Sequence, residues 1–338
     1  MTRAAVPRPE SRVRRVEVAG RSATALRLVA AGLLVAAPVW VFATRWGAVT
    51  DGHPAYPITL VVAAVLGFLL GWRTLTLRTR AHPVPRAWRR AVAGVGVVVA
   101  LILASALGWL RPFQATAPAL AAMTSDADVQ VSDTAGSIEL APSGPAPVVG
   151  LVFTPGGRVD ARAYARLLRP VAAAGYLVAI LKVPYGMAFI DPYQSGGPIA
   201  RHPEIEAWAV GGHSLGGVTA ALYAGRHSSV ALLLWASYPA NDLSGMTARA
   251  SSISGTRDGL TTPADIAASK AKLPAGTCFV KVPGAVHAFF GDYGRQRGDG
   301  SATTSRTEAQ GRITSATERS LLQLDPTIRG NLSGGFGG

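Results

Sequence analysis

The sequence predicts an α/β fold, with a mostly parallel sheet covered by helices on both faces, preceded by three transmembrane helices. Two observations lead to this prediction. Three long uncharged stretches occupy the first 110 residues, and beyond residue 128 short apolar runs alternate with helical segments. Strands that alternate with helices form parallel sheets, because each helix carries the chain back to the start of the next strand. A length of 338 residues allows one large domain and a smaller unit.

The three uncharged stretches are residues 28–44, 54–72 and 91–110. Each is close to the ~20 residues that a helix needs to cross ~30 Å of hydrocarbon. We therefore expect a membrane anchor over residues 25–111. The alternative for any one stretch is a buried core helix. For the first stretch it is also a cleavable signal sequence, whose apolar part is typically about 7 to 15 residues long. Three stretches in succession favour transmembrane helices.

Arginine residues indicate how the anchor is oriented. They are frequent before the first stretch and between the second and the third, whereas the loop between the first and the second has Arg45 set against Asp51. By the positive-inside rule, the basic tail of residues 1–24 is cytoplasmic, and the chain after the third span is extracytoplasmic. We expect a multi-pass protein of the cell membrane.

The formal net charge of +14 belongs mostly to the anchor. Residues 1–111 contain 15 arginines and 3 acidic residues, and the remaining residues contain 18 basic and 16 acidic side chains. The positive charge therefore reflects membrane topology, and no nucleic-acid partner is expected. Cys278 is the only cysteine, which excludes an internal disulfide bond and a cysteine-based zinc site.

The organisation of the remaining chain follows from its composition and apolar pattern. Residues 112–128 are rich in Ala, Thr, Pro and Ser without a clear period, which indicates a linker. A folded domain is predicted over residues 129–326 and a flexible tail over residues 327–338. The predicted strands are residues 148–154, 177–183, 207–210, 230–236, 251–254 and 277–282. The predicted helices are residues 160–174, 215–224, 263–272 and 307–324.

Gly212, Ser214 and Gly216 fit the pattern Gly-x-Ser-x-Gly, which is typical of a strand that turns sharply into a helix. At such a turn the serine has a strained backbone, and small residues on either side avoid a collision. An apolar run precedes the motif and a helix-forming run follows it, as the motif requires. The pattern predicts Ser214 as a nucleophile, with an ordinary glycine-rich turn as the alternative.

A serine nucleophile needs a base, and the base needs a carboxylate that orients it. His287 follows a predicted strand late in the chain and is the best of the six histidines for the role of base. Asp258 lies between the serine and the histidine, four residues after a predicted strand, and is our choice of acid. Asp242 and Asp292 are alternative candidates for the acid. We expect them instead to be solvated or to hold loops together through hydrogen bonds.

The oxyanion of a tetrahedral intermediate requires backbone N–H groups that already point at it. One should be the N–H of Leu215 at the start of the helix after the nucleophile, where unpaired amides favour negative charge. The other should come from the loop after an earlier strand, where Gly156 and Gly157 follow one another. The sequence does not distinguish between the two glycines.

Four runs in the expected order resemble the alpha/beta-hydrolase superfamily, and within it the small dienelactone-hydrolase-like serine esterases. They are TPGGRVDARAYARLL, HPEIEAWAVGGHSLGG, SGTRDGLTTP and GAVHAFFGDYG. The resemblance extends from about residue 148 to residue 325, outside the membrane segment. It implies an alpha/beta-hydrolase fold with Ser214 as nucleophile, Asp258 as acid and His287 as base. True dienelactone hydrolases use a cysteine nucleophile, so their substrate is not implied.

The expected site is open to solvent. Only residues 238–249 separate the two predicted strands after the nucleophile helix, which leaves no room for the helical lid of many relatives. Residues 185–203 are the better candidate for a pocket wall. The side chains expected to contact the acyl or alcohol group are Tyr185, Met187, Phe189 and Tyr193. An open site admits water, which favours hydrolysis over transfer.

These observations predict a membrane-anchored, extracytoplasmic serine hydrolase that cleaves an ester-like bond of a small molecule or lipid through an acyl-serine intermediate. Such chemistry needs no metal ion and no organic cofactor. Two alternatives stay open, an acyltransferase with the same three residues and a non-catalytic membrane sensor on a hydrolase scaffold. The sequence identifies neither the substrate nor the oligomeric state.

Overall fold

The computed structural model describes residues 9–77 and 85–325, and it divides into two compact units. The first unit falls within Met1–Trp46 and Tyr56–Arg111, and the second falls within Gly47–Ala55 and Pro112–Gly338. The predicted tail over residues 327–338 and the start of the basic N-terminal segment lie outside the described residues.

The first unit consists mainly of three long helices. They are α1 (Pro9–Thr50), α2 (Ala55–Thr76) and α3 (Arg86–Trp109). Within them, Ser22–Thr50, Ala55–Thr76 and Ala87–Trp109 are long and apolar enough to cross a membrane, which agrees with the three predicted stretches. Many of their large apolar side chains are exposed, as expected of helices that lipid surrounds.

The second unit contains a mixed sheet of eight strands within the described part of the chain. The strands are β1 (Val129–Asp133), β2 (Ser137–Pro142), β3 (Val149–Thr154), β4 (Leu177–Leu181), β5 (Ala207–His213), β6 (Ala231–Trp235), β7 (Ala250–Gly255) and β8 (Cys278–Val282). Their order is β1-β2-β4-β3-β5-β6-β7-β8. β2 is antiparallel to both of its neighbours, and the other neighbouring strands are parallel. The predicted mostly parallel sheet is confirmed.

The central strands are buried on both faces of the sheet. Leu151 and Phe153 of β3 belong to one apolar cluster, and Val152 between them belongs to the other. Strands of this kind appear in a sequence as continuous apolar runs, which explains why they could be predicted. β1 and β2 were not predicted. β1 is a short edge strand whose residues are mostly exposed, and in β2 Ser137 and Glu139 alternate with apolar residues, so neither strand is a continuous apolar run.

Helices pack around this sheet in the second unit. They are α4 (Ala117–Ala121), α5 (Ala165–Ala173), α6 (Gly196–Arg201), α7 (Leu215–Ala224), α8 (Pro263–Ser269) and α9 (Arg306–Leu322). α7 coincides with the predicted helix and directly follows β5, so the serine motif lies at a strand-to-helix turn. In the described chain, residues 236–249 between β6 and β7 form no helix, which is consistent with a site without a lid.

Residues 112–128 differ from the free linker that their composition indicated. The Phe113 N–H donates to Arg158 O at 2.7 Å, and the Asp160 N–H donates to Phe113 O at 3.0 Å. Ala115 and Ala119 are buried in the apolar core of the second unit. The segment is therefore part of this unit, because small apolar residues can be buried without producing a periodic pattern.

The segment Gly47–Ala55 also belongs to the second unit, and it comprises the last turn of α1, the loop that follows and the first residue of α2. The mostly buried guanidinium of Arg162 forms an ion pair with Asp160 at 2.8 Å and a second ion pair with Asp51 of this loop. Arg162 lies in a short 3₁₀ helix after β3. The loop is thus attached to the segment that follows the two glycines predicted for the oxyanion hole.

Candidate active site

Ser214 lies at the turn between β5 and α7 with φ 52° and ψ −123°, a backbone conformation that costs free energy for any residue with a side chain. A Cβ atom on Gly212 would lie 2.6 Å from Gly216 O, and one on Gly216 would overlap the carbonyl oxygen of Thr154. Both positions therefore require glycine. The Ser214 N–H donates to Trp235 O at 3.0 Å, which anchors the turn to β6.

Asp258 and His287 form a buried pair, with only 4% and 1% of their surfaces exposed. Asp258 Oδ2 and His287 Nδ1 are 2.9 Å apart. Asp258 Oδ1 accepts the N–H groups of Leu260 at 2.8 Å and Thr261 at 2.7 Å, which hold the carboxylate in place. A proton on Nδ1 is donated to the carboxylate, so the lone pair of His287 is at Nε2.

His287 Nε2 is buried and has no hydrogen-bond partner among the described residues. It is therefore not hydrogen-bonded to Ser214 Oγ in this structure. The contact between a nucleophile and its base is often loose in the absence of substrate and tightens in the reacting complex. His287 is nevertheless close to the turn that carries Ser214, because the ring centroids of His213 and His287 are 4.5 Å apart.

Asp299 supports the backbone on both sides of this pair. Its Oδ1 accepts the His287 N–H at 3.1 Å and the Gly259 N–H at 3.2 Å, and its Oδ2 accepts the Ala288 N–H at 2.8 Å. It thus joins the segment that carries Asp258 to the segment that carries His287. Sequence reasoning missed Asp299, because it lies in a polar loop that carries no motif.

The two glycines predicted for the oxyanion hole, in the loop after β3, differ in the hydrogen bonding of their N–H groups. The Gly156 N–H donates to Tyr164 Oη at 2.9 Å and is therefore already engaged. The Gly157 N–H has no acceptor among the residues that the structure describes. A Cβ atom on Gly157 would lie 3.4 Å from Leu215 Cδ2, so this glycine adjoins the start of α7. The arrangement favours the Gly157 N–H over the Gly156 N–H as a donor to an oxyanion. Leu215 is the second candidate donor, because its N–H at the start of α7 has no intrahelical acceptor.

Tyr164 and His213 form a second buried pair, which sequence reasoning did not assign to the site. Tyr164 Oη and His213 Nδ1 are 2.9 Å apart, and both side chains are almost fully buried. Burial, together with the charge of His287, holds the pKa of His213 well below its ordinary value. Burial raises the pKa of the Tyr164 phenol. Both groups are therefore neutral near pH 7.

The predicted pocket wall contains two short 3₁₀ helices, Pro184–Gly186 and Ala188–Ile190. Tyr185 and Met187 are half-buried, whereas Phe189 and Tyr193 are 55% and 40% exposed. Ala188–Ile190 lies against α7, the helix that follows Ser214. The assignment of Tyr185, Met187, Phe189 and Tyr193 to substrate contacts stays a prediction.

The two competing acids have structural partners elsewhere. Asp242 accepts the Ser244 N–H at 2.9 Å, a local turn contact. Asp292 is buried and accepts a hydrogen bond from Gln310 Nε2 at 2.9 Å. Among the described residues, no cluster of three or more His, Cys, Asp or Glu side chains could hold a metal ion.

Part of the second unit is similar to a known protein family, and two solved structures are similar to the chain at low identity. Residues 150–311 match the model of the alpha/beta hydrolase family. A Klebsiella pneumoniae structure described as a dienelactone hydrolase is 17% identical, with 55% of this chain and 92% of that chain covered and a TM-score of 0.42. A dienelactone hydrolase-like promiscuous phosphotriesterase from metagenomic libraries is 16% identical, with 58% and 97% covered and a TM-score of 0.43. No curated protein matches the chain. By its family match and its sheet, the second unit has the alpha/beta-hydrolase fold.

Proposed function

We propose that this protein is a membrane-anchored serine hydrolase that cleaves an ester-like bond through an acyl-serine intermediate. The observation that supports the proposal best is the buried contact of 2.9 Å between Asp258 and His287. A buried carboxylate in contact with Nδ1 prepares an imidazole to accept a proton at Nε2. The strained turn at Ser214 provides a hydroxyl group one residue away from His213, whose ring adjoins that of His287.

The proposed reaction has two halves. His287 Nε2 takes the proton of Ser214 Oγ as the oxygen attacks the carbonyl carbon, and the N–H groups of Gly157 and Leu215 stabilise the resulting oxyanion. When the intermediate collapses, His287 donates the proton to the leaving alcohol, and the acyl group stays on Ser214. Water then attacks the acyl-serine with His287 as base, and the acid is released. Asp258 stabilises the imidazolium that forms in each half.

The substrate that we propose is an ester with an apolar acyl or alcohol group. Phe189, Ile190 and Tyr193 expose apolar surface on the segment that lies beside α7. Burial of apolar surface contributes about 25 cal/mol per Å², so a longer apolar chain in contact with these side chains would bind more tightly. The absence of a helix between β6 and β7 in the described chain supports access of water and therefore hydrolysis.

The proposed activity is tested with the purified full chain in detergent and p-nitrophenyl esters of increasing acyl length. We expect hydrolysis by the native protein and a loss of at least about 10³-fold in kcat for Ser214→Ala. Ser244→Ala removes a hydroxyl from the loop between β6 and β7 and is the matched control, with unchanged kcat expected. No hydrolysis of any ester by the folded native chain would instead favour a non-catalytic module.

We also propose that the hydrolase unit is extracytoplasmic, on the basis of the arginine distribution and three apolar helices. The chain offers a direct test, because Cys278 is its only cysteine and is exposed on β8. A maleimide that cannot cross membranes should label the protein in intact cells and should not label Cys278→Ser. Labelling only after cell lysis would reverse the proposed orientation.

A further inference from the structure

Tyr164 and His213 connect the Gly156–Gly157 loop to the 3₁₀ helix His287–Phe290, which carries the proposed base. The reaction proposed above gives neither Tyr164 nor His213 a role. Tyr164 Oη lies 2.9 Å from the Gly156 nitrogen and 2.9 Å from His213 Nδ1. The His213 ring in turn adjoins that of His287, with 4.5 Å between the ring centroids. The connection therefore runs from Gly156 to His287 through two buried side chains.

The direction of the hydrogen bonds follows from the groups themselves. The Gly156 N–H can only donate, so the phenol oxygen of Tyr164 accepts its hydrogen bond. The phenol has one hydrogen, which it donates to His213 Nδ1, and the proton of the neutral imidazole is then at Nε2. With this proton placement, the Gly156 N–H, the phenol hydrogen and His213 Nδ1 are paired, and His213 Nε2 has no hydrogen-bond partner among the described residues. The other tautomer would leave the phenol hydrogen without a partner here as well, which favours the phenol as donor. A buried chain of hydrogen bonds resists small displacements of its members.

The surroundings of His213 prevent its ring from shifting independently. Phe290 stacks on it at a centroid distance of 5.9 Å and an interplanar angle of 6°, and Tyr293 lies 6.0 Å away. Phe290 is fully buried and belongs to the same 3₁₀ helix as His287. A displacement of His213 would therefore disturb the segment that positions the base.

We propose that Tyr164 and His213 are positioning residues that hold the Gly156–Gly157 loop in register with Ser214 and His287, so that the Gly157 N–H points at the oxyanion. This role rests on the proposed function. Tyr164 fixes the loop through the Gly156 N–H and leaves the neighbouring Gly157 N–H for substrate. His213 fixes Tyr164 and is joined through the backbone to the nucleophile.

The charge state of His213 is consistent with this role. Three titratable side chains face its ring, namely Tyr164, His287 and Tyr293. The lowered pKa of His213 keeps it neutral while His287 gains and loses its proton. A positive charge 4.5 Å from His287 would oppose formation of the imidazolium that the reaction requires.

The test compares Tyr164→Phe with Tyr223→Phe in the purified full chain. Each variant removes one phenol oxygen from a buried tyrosine, but Tyr223 lies on the body of α7, outside this connection. With p-nitrophenyl butyrate, we expect Tyr164→Phe to lower kcat about 10- to 100-fold with KM within about twofold of native, because small misplacement of a reacting group has effects of this size. Tyr223→Phe should keep the native kcat. A merely structural role of Tyr164 would change the melting temperature without this selective loss of kcat.

A second pair of variants replaces His213 by residues of similar shape. Asn offers an acceptor near the position of Nδ1, and Leu offers none. We expect His213→Asn to retain at least about fivefold more kcat than His213→Leu, because only the former can accept the phenol hydrogen. Equal kcat in these two variants, or native kcat in a folded Tyr164→Phe, would overturn the positioning role while leaving the hydrolase intact. An inactive native chain would overturn the proposed function and this role together.

Discussion

Replacement of Asp258 by Asn changes the protonation state of the proposed base with little change in shape. The amide oxygen of the new side chain can still accept the N–H groups of Leu260 and Thr261, which lie at 2.8 and 2.7 Å from the native Oδ1. The amide –NH₂ would face His287 Nδ1, where the native Oδ2 accepts a hydrogen bond at 2.9 Å. Two donors cannot face each other, so Nδ1 becomes the acceptor and the proton moves to Nε2.

The proton at Nε2 occupies the position that must accept the serine hydrogen, so the base is disabled. The equivalent substitution in a protease with this type of triad lowers kcat about 10⁴-fold, which corresponds to about 5 kcal/mol of barrier. We expect a loss of this size for Asp258→Asn, measured as kcat on p-nitrophenyl butyrate, with a melting temperature close to native. A loss of stability alone would not remove activity below the melting transition.

Asp242→Asn is the matched control for this experiment. Asp242 also lies in a loop after a parallel strand, but its carboxylate is hydrogen-bonded locally, with Oδ1 accepting the Ser244 N–H at 2.9 Å. We expect native kcat in this variant. If Asp258→Asn keeps more than about a tenth of native kcat while Ser214→Ala is inactive, Asp258 is not the acid that orients His287.

Three further outcomes follow from the structure. Gly216→Ala places a Cβ atom against the carbonyl oxygen of Thr154. We expect the free energy of unfolding, measured by denaturant titration, to fall by about 3 kcal/mol. An unfolding midpoint equal to that of the native protein would show that the turn can adapt. The lowered pKa of His213 means that the unfolded chain binds a proton that the folded chain does not, so stability should fall as the pH drops below about 6.5. His213→Asn should reduce this slope, and an unchanged slope would contradict a neutral buried histidine. Asp51→Asn removes the ion pair between Asp51 and Arg162, in which the Asp51 side chain is 44% exposed. We therefore expect the free energy of unfolding, measured by denaturant titration, to fall by at most about 1 kcal/mol. A larger loss would mean that this contact contributes more than an exposed ion pair does.

The sequence could predict the sheet and the nucleophile turn because the determinants are local. Runs such as residues 148–154 are apolar throughout, as strands buried on two faces must be. Gly212 and Gly216 are required by close backbone contacts around a single turn, so their spacing to Ser214 carries the information. The order of Ser214, Asp258 and His287 in the chain led us to expect Asp258 and His287 to be partners, and the two side chains are in contact. Their catalytic roles are a proposal.

Other features depend on contacts that no local pattern encodes. Our proposal of Gly157 rather than Gly156 depends on Tyr164, whose hydroxyl group accepts the Gly156 N–H. Burial of Ala115 and Ala119 makes the predicted linker part of the core, but alanine is equally common in exposed segments. Asp299 binds backbone N–H groups of two distant loops, and only the fold brings these together.

If Ser214 is a nucleophile activated by His287, a fluorophosphonate should modify it covalently, and the site of modification can be located directly. The purified full chain is treated with the probe, digested and analysed by peptide mass spectrometry, with His287→Ala treated in parallel. We expect a phosphonyl adduct on Ser214 in the native chain and a strongly slowed reaction in the variant. An adduct on another serine, or no adduct on the folded native protein, would contradict it.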